Sequence, residues 1–139
     1  MDFSSPNESP VVLADGRKLR PEDIHGQRQT HIAQARPLIF MNACRVGQQA
    51  WALTRLGGWA SAWVDRCRCG VFVGPLWSVN DRLAYEFAQA FYDALRAKQT
   101  IGQAALAARR HVRALAPDDP NCLAYSVYAH PNARVKFGA

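Results

Sequence analysis

The residue of this chain best suited to covalent chemistry is Cys44, which follows closely after an uninterrupted apolar run at residues 38–41. Such a run is typical of a strand buried on both faces of a parallel sheet. Reactive groups in open α/β sheets lie just past the carboxyl ends of these strands, so the position predicts a thiol nucleophile. A base or a nearby cation must hold the thiolate, and a buried structural cysteine is the alternative.

The other three cysteines, Cys67, Cys69 and Cys122, give only a weak metal signal, because their spacing does not match a paired zinc motif. We interpret Cys67 and Cys69 as two thiols near the end of a helix, and Cys122 as a small core residue. No metal and no cofactor are expected. The first ten residues do not have the pattern of a secretion signal, so reduced thiols and a cytoplasmic location are expected.

The composition indicates a single soluble domain. A length of 139 residues, of which 49% are hydrophobic, is enough for one real core. No apolar stretch is long enough to predict a membrane span. The net charge is +6, but the basic residues are scattered, which is more typical of solvated faces than of a nucleic-acid interface.

The part of the chain before Cys44 is less clearly patterned. Residues 1–10 are rich in proline and serine and are expected to be a flexible segment. A short strand at residues 11–13 is predicted to enter a turn at Asp15 and Gly16. Residues 21–24 favour one or two helical turns, since proline suits the first helical position.

The pattern after Cys44 predicts a strand–helix–strand unit. Apolar residues recur at helical spacing as far as Arg66, and a second apolar run follows at residues 70–73. With the strand at residues 38–41, this order predicts a crossover that joins two parallel strands.

Two further helices and a last strand complete the predicted elements. A capping box with Ser78 as N-cap predicts a helix to about Ala97, and a second capping signal at Thr100 opens the next helix. Pro117 ends that helix, and residues 123–128 favour a strand.

Several segments, taken in order, resemble the CHAT domains, which are caspase-like cysteine peptidases related to separases. Residues 37–47, P-L-I-F-M-N-A-C-R-V-G, resemble the nucleophile strand of that family, commonly P-L-V-x-L-x-A-C-x-T-G. Residues 71–81 resemble the second strand and its L-W-x-V-x-D exit. The other matching segments are residues 13–24, 91–95, 101–109 and 125–131. The resemblance covers about residues 11–131 and leaves a short tail at 132–139.

The resemblance implies an α/β fold with a caspase-like, mostly parallel sheet flanked by helices. It implies that Cys44 is the nucleophile and that a peptide or protein is the substrate. Trp77 and Ser78 follow the second strand, where such folds border the substrate groove. The alternatives are a core tryptophan for Trp77 and a helix cap for Ser78.

The family's general base is a histidine in an H-G pair that precedes the turn at Asp15. None of the four histidines, His25, His31, His111 and His130, has that position, so each is interpreted as a surface residue. We therefore expect a partial domain that lacks its N-terminal strand and exposes a sheet edge near residues 11–13.

Such a domain is expected to be inactive, or nearly so, on its own. It would be a fragment, the product of a gene whose start is placed too late, or a degenerate domain. A degenerate CHAT domain would be a non-enzymatic interaction module that pairs with a partner protein through its open edge or its aromatic groove. In a fragment, the missing N-terminal region of the same protein would complete the sheet.

Overall fold

The computed structural model describes residues 10–42 and 58–138. The strands are β1 (Val11–Val12), β2 (Lys18–Leu19), β3 (Leu38–Phe40), β4 (Val71–Pro75) and β5 (Tyr125–Tyr128). The α-helices described over their full extent are α1 (Gln27–Ala35), α2 (Asp81–Arg96) and α3 (Ile101–Leu115), and residues 58–60 are also α-helical. Two 3-10 turns, Pro21–Asp23 and Pro120–Leu123, and a π-helical segment, Ser61–Arg66, complete these elements. None of the described helices is both long enough and apolar enough to cross a membrane.

The main sheet has the strand order β3-β4-β5. Strand β3 runs parallel to β4, with Leu38 opposite Val71. Strand β5 runs antiparallel to β4, with Tyr125 opposite Pro75. The predicted parallel pairing of the two apolar runs is therefore confirmed, and the fold is mixed α/β. The sheet of the described residues has one parallel and one antiparallel pairing.

The two faces of the sheet are covered by separate layers. On one face, Val71 and Val73 of β4 belong to a core that the buried sides of α2 and α3 complete. On the other face, Phe72 packs in a second cluster with Trp59 and Cys67. This alternation follows from the period of two in a strand, and it places the sheet in the middle of three layers.

The prediction that the first apolar run is buried on both faces is wrong for β3. Its residues are only partly buried, whereas the first four residues of β4 are fully buried. The physical reason is position, because β4 lies between two strands while β3 has one hydrogen-bonded neighbour among the described residues.

The expected open edge near residues 11–13 is not an edge of the main sheet. Val11 and Val12 instead pair antiparallel with Leu19 and Lys18 in a small hairpin. Its turn contains Gly16 at a φ of 80°, a left-handed conformation that suits glycine. The turn predicted at Asp15 and Gly16 is confirmed.

The start of α2 corrects the predicted cap. The N-cap is Asn80, whose side chain accepts a hydrogen bond from the Leu83 backbone at 2.9 Å. Ser78 lies two residues earlier and is exposed. The second signal is confirmed, since Thr100 and Gln103 form a reciprocal capping box at the start of α3.

Candidate active site

The candidate site lies where two strands leave the same edge of the sheet. Because β3 and β4 are parallel, their carboxyl ends meet there, and the antiparallel β5 begins there. The ladder continues past β3, since Met41 donates its backbone N–H to the Val73 carbonyl at 2.8 Å. Leu76 donates to the Ala124 carbonyl at 2.6 Å. We call Asn42, Leu76 and Trp77 the exit edge.

An aromatic cluster supports this edge from the α2 side of the sheet. The Phe40 ring, at the end of β3, lies 5.7 Å from the ring centroids of both Tyr92 and Tyr125. Phe87 stacks on Tyr125 with the centroids 4.1 Å apart. Aromatic rings at these distances pack favourably and bury a large apolar area. The last residue of β3 is therefore fixed to both α2 and β5.

A hydrogen bond extends this support to the chain beyond β3. The Tyr125 hydroxyl donates to Oδ1 of Asn42 at 2.5 Å. The two residues are 83 positions apart in the sequence, and the motifs give no sign of the contact. The one available signal is general, because a buried tyrosine hydroxyl usually finds a partner.

Trp77 is in part a core residue, as one of the two predicted alternatives has it. Its half-buried ring packs against the main core, and its Nε1 donates to Oδ1 of Asn121 at 2.9 Å. The same ring lines an open cleft together with residues 116–121. The Trp77 ring is therefore held in place at the exit edge, and the next residue, Ser78, is exposed. The role of these two residues in substrate binding stays a prediction.

Cys44, the predicted nucleophile, lies outside the described residues. The described chain reaches Asn42, two residues before it. The nearest described feature to the predicted thiol along the sequence is therefore the exit edge itself.

The three described cysteines are free thiols with a different character. Cys67 directly follows the π-helical segment and is fully buried, and Cys69 is also buried, as the sequence predicts for thiols near a helix end. Burial raises the pKa of the Cys67 thiol, against a smaller opposing effect of the Arg66 charge. Burial, followed by the nearby Cys67, raises the pKa of Cys69. Neither is suited to act as a thiolate at neutral pH.

All four histidines are described, and all are exposed, as predicted. His111 on α3 pairs with Glu86 on α2, with Nε2 and Oε2 2.7 Å apart. His130 follows β5 and so lies at the edge of the sheet opposite to the exit edge. His25 and His31 precede β3. Among the described residues, no hydrogen bond joins a histidine to the exit edge.

The residues that the structure describes contain no group of three or more His, Cys, Asp or Glu side chains that could hold a metal ion.

Comparison with known families decides what the ordered motifs mean. The model of the CHAT domain matches residues 1–134, nearly the whole chain. The chain belongs to the CHAT domain family. No curated protein matches it. In this CHAT domain, β3 with Asn42 and β4 with Trp77 end at the same edge of the sheet, because the two strands are parallel.

Proposed function

We propose that this CHAT domain is a cysteine peptidase domain whose nucleophile is Cys44. The observation that carries the proposal is the common exit of β3 and β4 at one edge of the sheet. The described chain reaches this edge at Asn42, two residues before Cys44 in the sequence. The parallel β3–β4 pair and the antiparallel β5 would then be the C-terminal part of a caspase-like sheet.

In the proposed reaction, the Cys44 thiolate attacks the carbonyl carbon of a peptide bond and forms a thioester. The amine leaves with a proton that the general base has taken from the thiol, and water then releases the acid and restores the cysteine. Backbone N–H groups hold the developing oxyanion. The substrate would lie in an extended conformation beyond β4, against Trp77 and Ser78.

The mechanism needs a general base, and no histidine is hydrogen-bonded to the exit edge in the part of the chain that the structure describes. His111 is engaged with Glu86, and His130 lies at the opposite edge of the sheet. We therefore propose that the isolated chain does not turn over peptides, and that a partner or a further segment of polypeptide provides the base. The free thiols Cys67, Cys69 and Cys122 favour a reducing, cytoplasmic setting.

Peptide-directed alkylation of Cys44 tests this proposal without requiring turnover. The isolated chain is treated with a series of peptidyl chloromethyl ketones that differ in the side chain beside the ketone. The thiolate displaces chloride and forms a stable thioether, which mass spectrometry assigns to one cysteine. We expect the labelling rate of Cys44 to differ at least tenfold between the best and the worst peptide.

Two controls accompany this experiment. The half-buried Cys122 is an internal reference, and its labelling should not depend on the peptide. The Cys44→Ala variant should lose the peptide-dependent adduct. A uniform rate at Cys44 that matches Cys122 would contradict the peptidase proposal, because it would mean that no peptide groove adjoins the thiol.

That uniform result would favour the second candidate, a non-enzymatic interaction module. The observation behind it is β3, which is apolar, partly exposed and hydrogen-bonded on one side only among the described residues. An unpaired edge of this kind is a template for a strand of another polypeptide. Uniform labelling of Cys44, together with protection of the β3 amides from hydrogen exchange by an added partner strand, would support the module.

A further inference from the structure

The hydroxyl of Tyr125 joins the aromatic cluster to Asn42, the last described residue after β3. The Tyr125 residue is only 1% exposed, whereas Asn42, which accepts its hydrogen bond, is exposed at the exit edge. A buried core residue on the last strand thus holds a surface residue that stands two positions before Cys44.

The position of this hydroxyl is rigidly determined. Phe87 stacks on the Tyr125 ring, and Phe40 packs against it at 5.7 Å. The Tyr125 backbone is also held, because the Arg109 guanidinium donates to its carbonyl oxygen at 3.1 Å. A side chain fixed in this way can impose its geometry on a partner that would otherwise move with the surface.

We infer that Tyr125 is a positioning residue for the reaction of Cys44. Its hydroxyl fixes Asn42 and thereby sets the direction in which the chain leaves β3 toward the nucleophile. In this role Tyr125 acts through its hydrogen bond to Asn42. The inference rests on the proposed function, since it assigns a role in a reaction at Cys44.

A positioning role predicts a specific kinetic signature. Loss of the hydrogen bond leaves the peptide groove in place, so the affinity of a peptidyl ketone (KI) should stay within twofold of the wild type. The rate of alkylation from the bound state (kinact) depends on the alignment of sulfur and carbon and should fall about fivefold to tenfold.

The experiment measures kinact and KI at Cys44 with the best chloromethyl ketone of the series described above. Tyr125→Phe removes the hydroxyl and keeps the stacked ring. Tyr92→Phe is the matched control, because it removes the hydroxyl of a half-buried tyrosine whose ring also packs on Phe40, at 5.7 Å. Of these two variants, Tyr125→Phe alone should lower kinact. The labelling of Cys44 by iodoacetamide, which needs no groove, should change less than twofold in Tyr125→Phe.

Asn42→Ala keeps the inference testable if Tyr125→Phe fails to fold, because Asn42 is exposed and outside the core. It should lower kinact as Tyr125→Phe does. The double variant should be no slower than either single variant, because both changes remove the same hydrogen bond.

The possible results separate this inference from the proposed function. If the wild-type chain shows no peptide-dependent labelling of Cys44, the proposed function fails. If the wild type shows it and Tyr125→Phe and Asn42→Ala retain the wild-type kinact, only the positioning role fails. An equal fall of kinact in Tyr92→Phe would also overturn the positioning role, because it would show a general loosening of the cluster.

Discussion

Gly70 has no room for an added methyl group at the start of the parallel β3–β4 pair. It immediately precedes β4, and its backbone N–H donates to the Pro37 carbonyl at 3.0 Å. A Cβ atom built on Gly70 would lie 2.3 Å from the Arg36 carbonyl oxygen. Real Cβ atoms essentially never approach another atom within 3.0 Å, so the two segments would have to separate by about 0.7 Å.

The cost of Gly70→Ala follows from what must move. The opposing atom belongs to the backbone, so no side-chain rotation relieves the contact, and the hydrogen bonds from Gly70 and Val71 to Pro37 must lengthen. Overpacking of this kind destabilises by about 1–3 kcal/mol. For a domain of this size, we expect the Tm to fall by about 4–12 °C.

Thermal and urea unfolding, followed by circular dichroism, measure this change. Gly138→Ala is the matched control, because no atom lies within 4 Å of its added Cβ, and its stability should equal that of the wild type. The free energy of unfolding of Gly70→Ala could instead lie within about 0.5 kcal/mol of the wild-type value. That result would refute the close approach of Gly70 to Arg36, and with it the described start of the β3–β4 pair.

Further outcomes concern the helix caps and the buried thiols. Asn80→Ala and Thr100→Ala should each lower the free energy of unfolding in urea by about 1 kcal/mol, and an unchanged value would contradict the assigned cap. At pH 8, Cys67 and Cys69 should be alkylated more slowly than Cys122 until urea is added, as mass spectrometry of each cysteine would show. Folding raises the pKa of the Cys67 and Cys69 thiols, so above their ordinary value of 9.0 the unfolded chain loses these protons first. Stability should therefore fall as the pH rises from 8 through 10.5, and less steeply in Cys67→Ala; an equal slope in that variant would show that this thiol does not contribute.

Local patterns predicted the elements whose signals lie within a few residues. The capping box of Thr100 and the two apolar runs are examples, and the structure confirms both. Helix α1 was missed, because none of its residues is buried and no apolar stripe marks it in the sequence. Asn80, rather than Ser78, caps α2, because two polar residues in one short segment compete and only the path of the chain decides between them.

The candidate site was predictable to the extent that it depends on strand order. Two parallel strands that precede Cys44 and Trp77 must end at the same edge of the sheet. The structure shows this for the chain as far as Asn42, the last described residue before Cys44. The contact of Asn42 with Tyr125 spans 83 residues and depends on how β5 pairs with β4, which no local pattern encodes. The half-buried state of Trp77 likewise depends on the distant Asn121.

We propose that the exit edge presents Cys44 to an extended peptide. The most direct test is the ratio of the fastest to the slowest peptidyl ketone labelling rate at Cys44, measured in the folded chain and again in concentrated urea, with Cys122 as the reference. At Cys44 we expect a ratio of at least ten in the folded chain and a ratio near one in urea. At Cys122 the ratio should be near one under both conditions. A ratio near one at Cys44 in the folded chain would contradict the proposal that Cys44 lies beside a peptide groove.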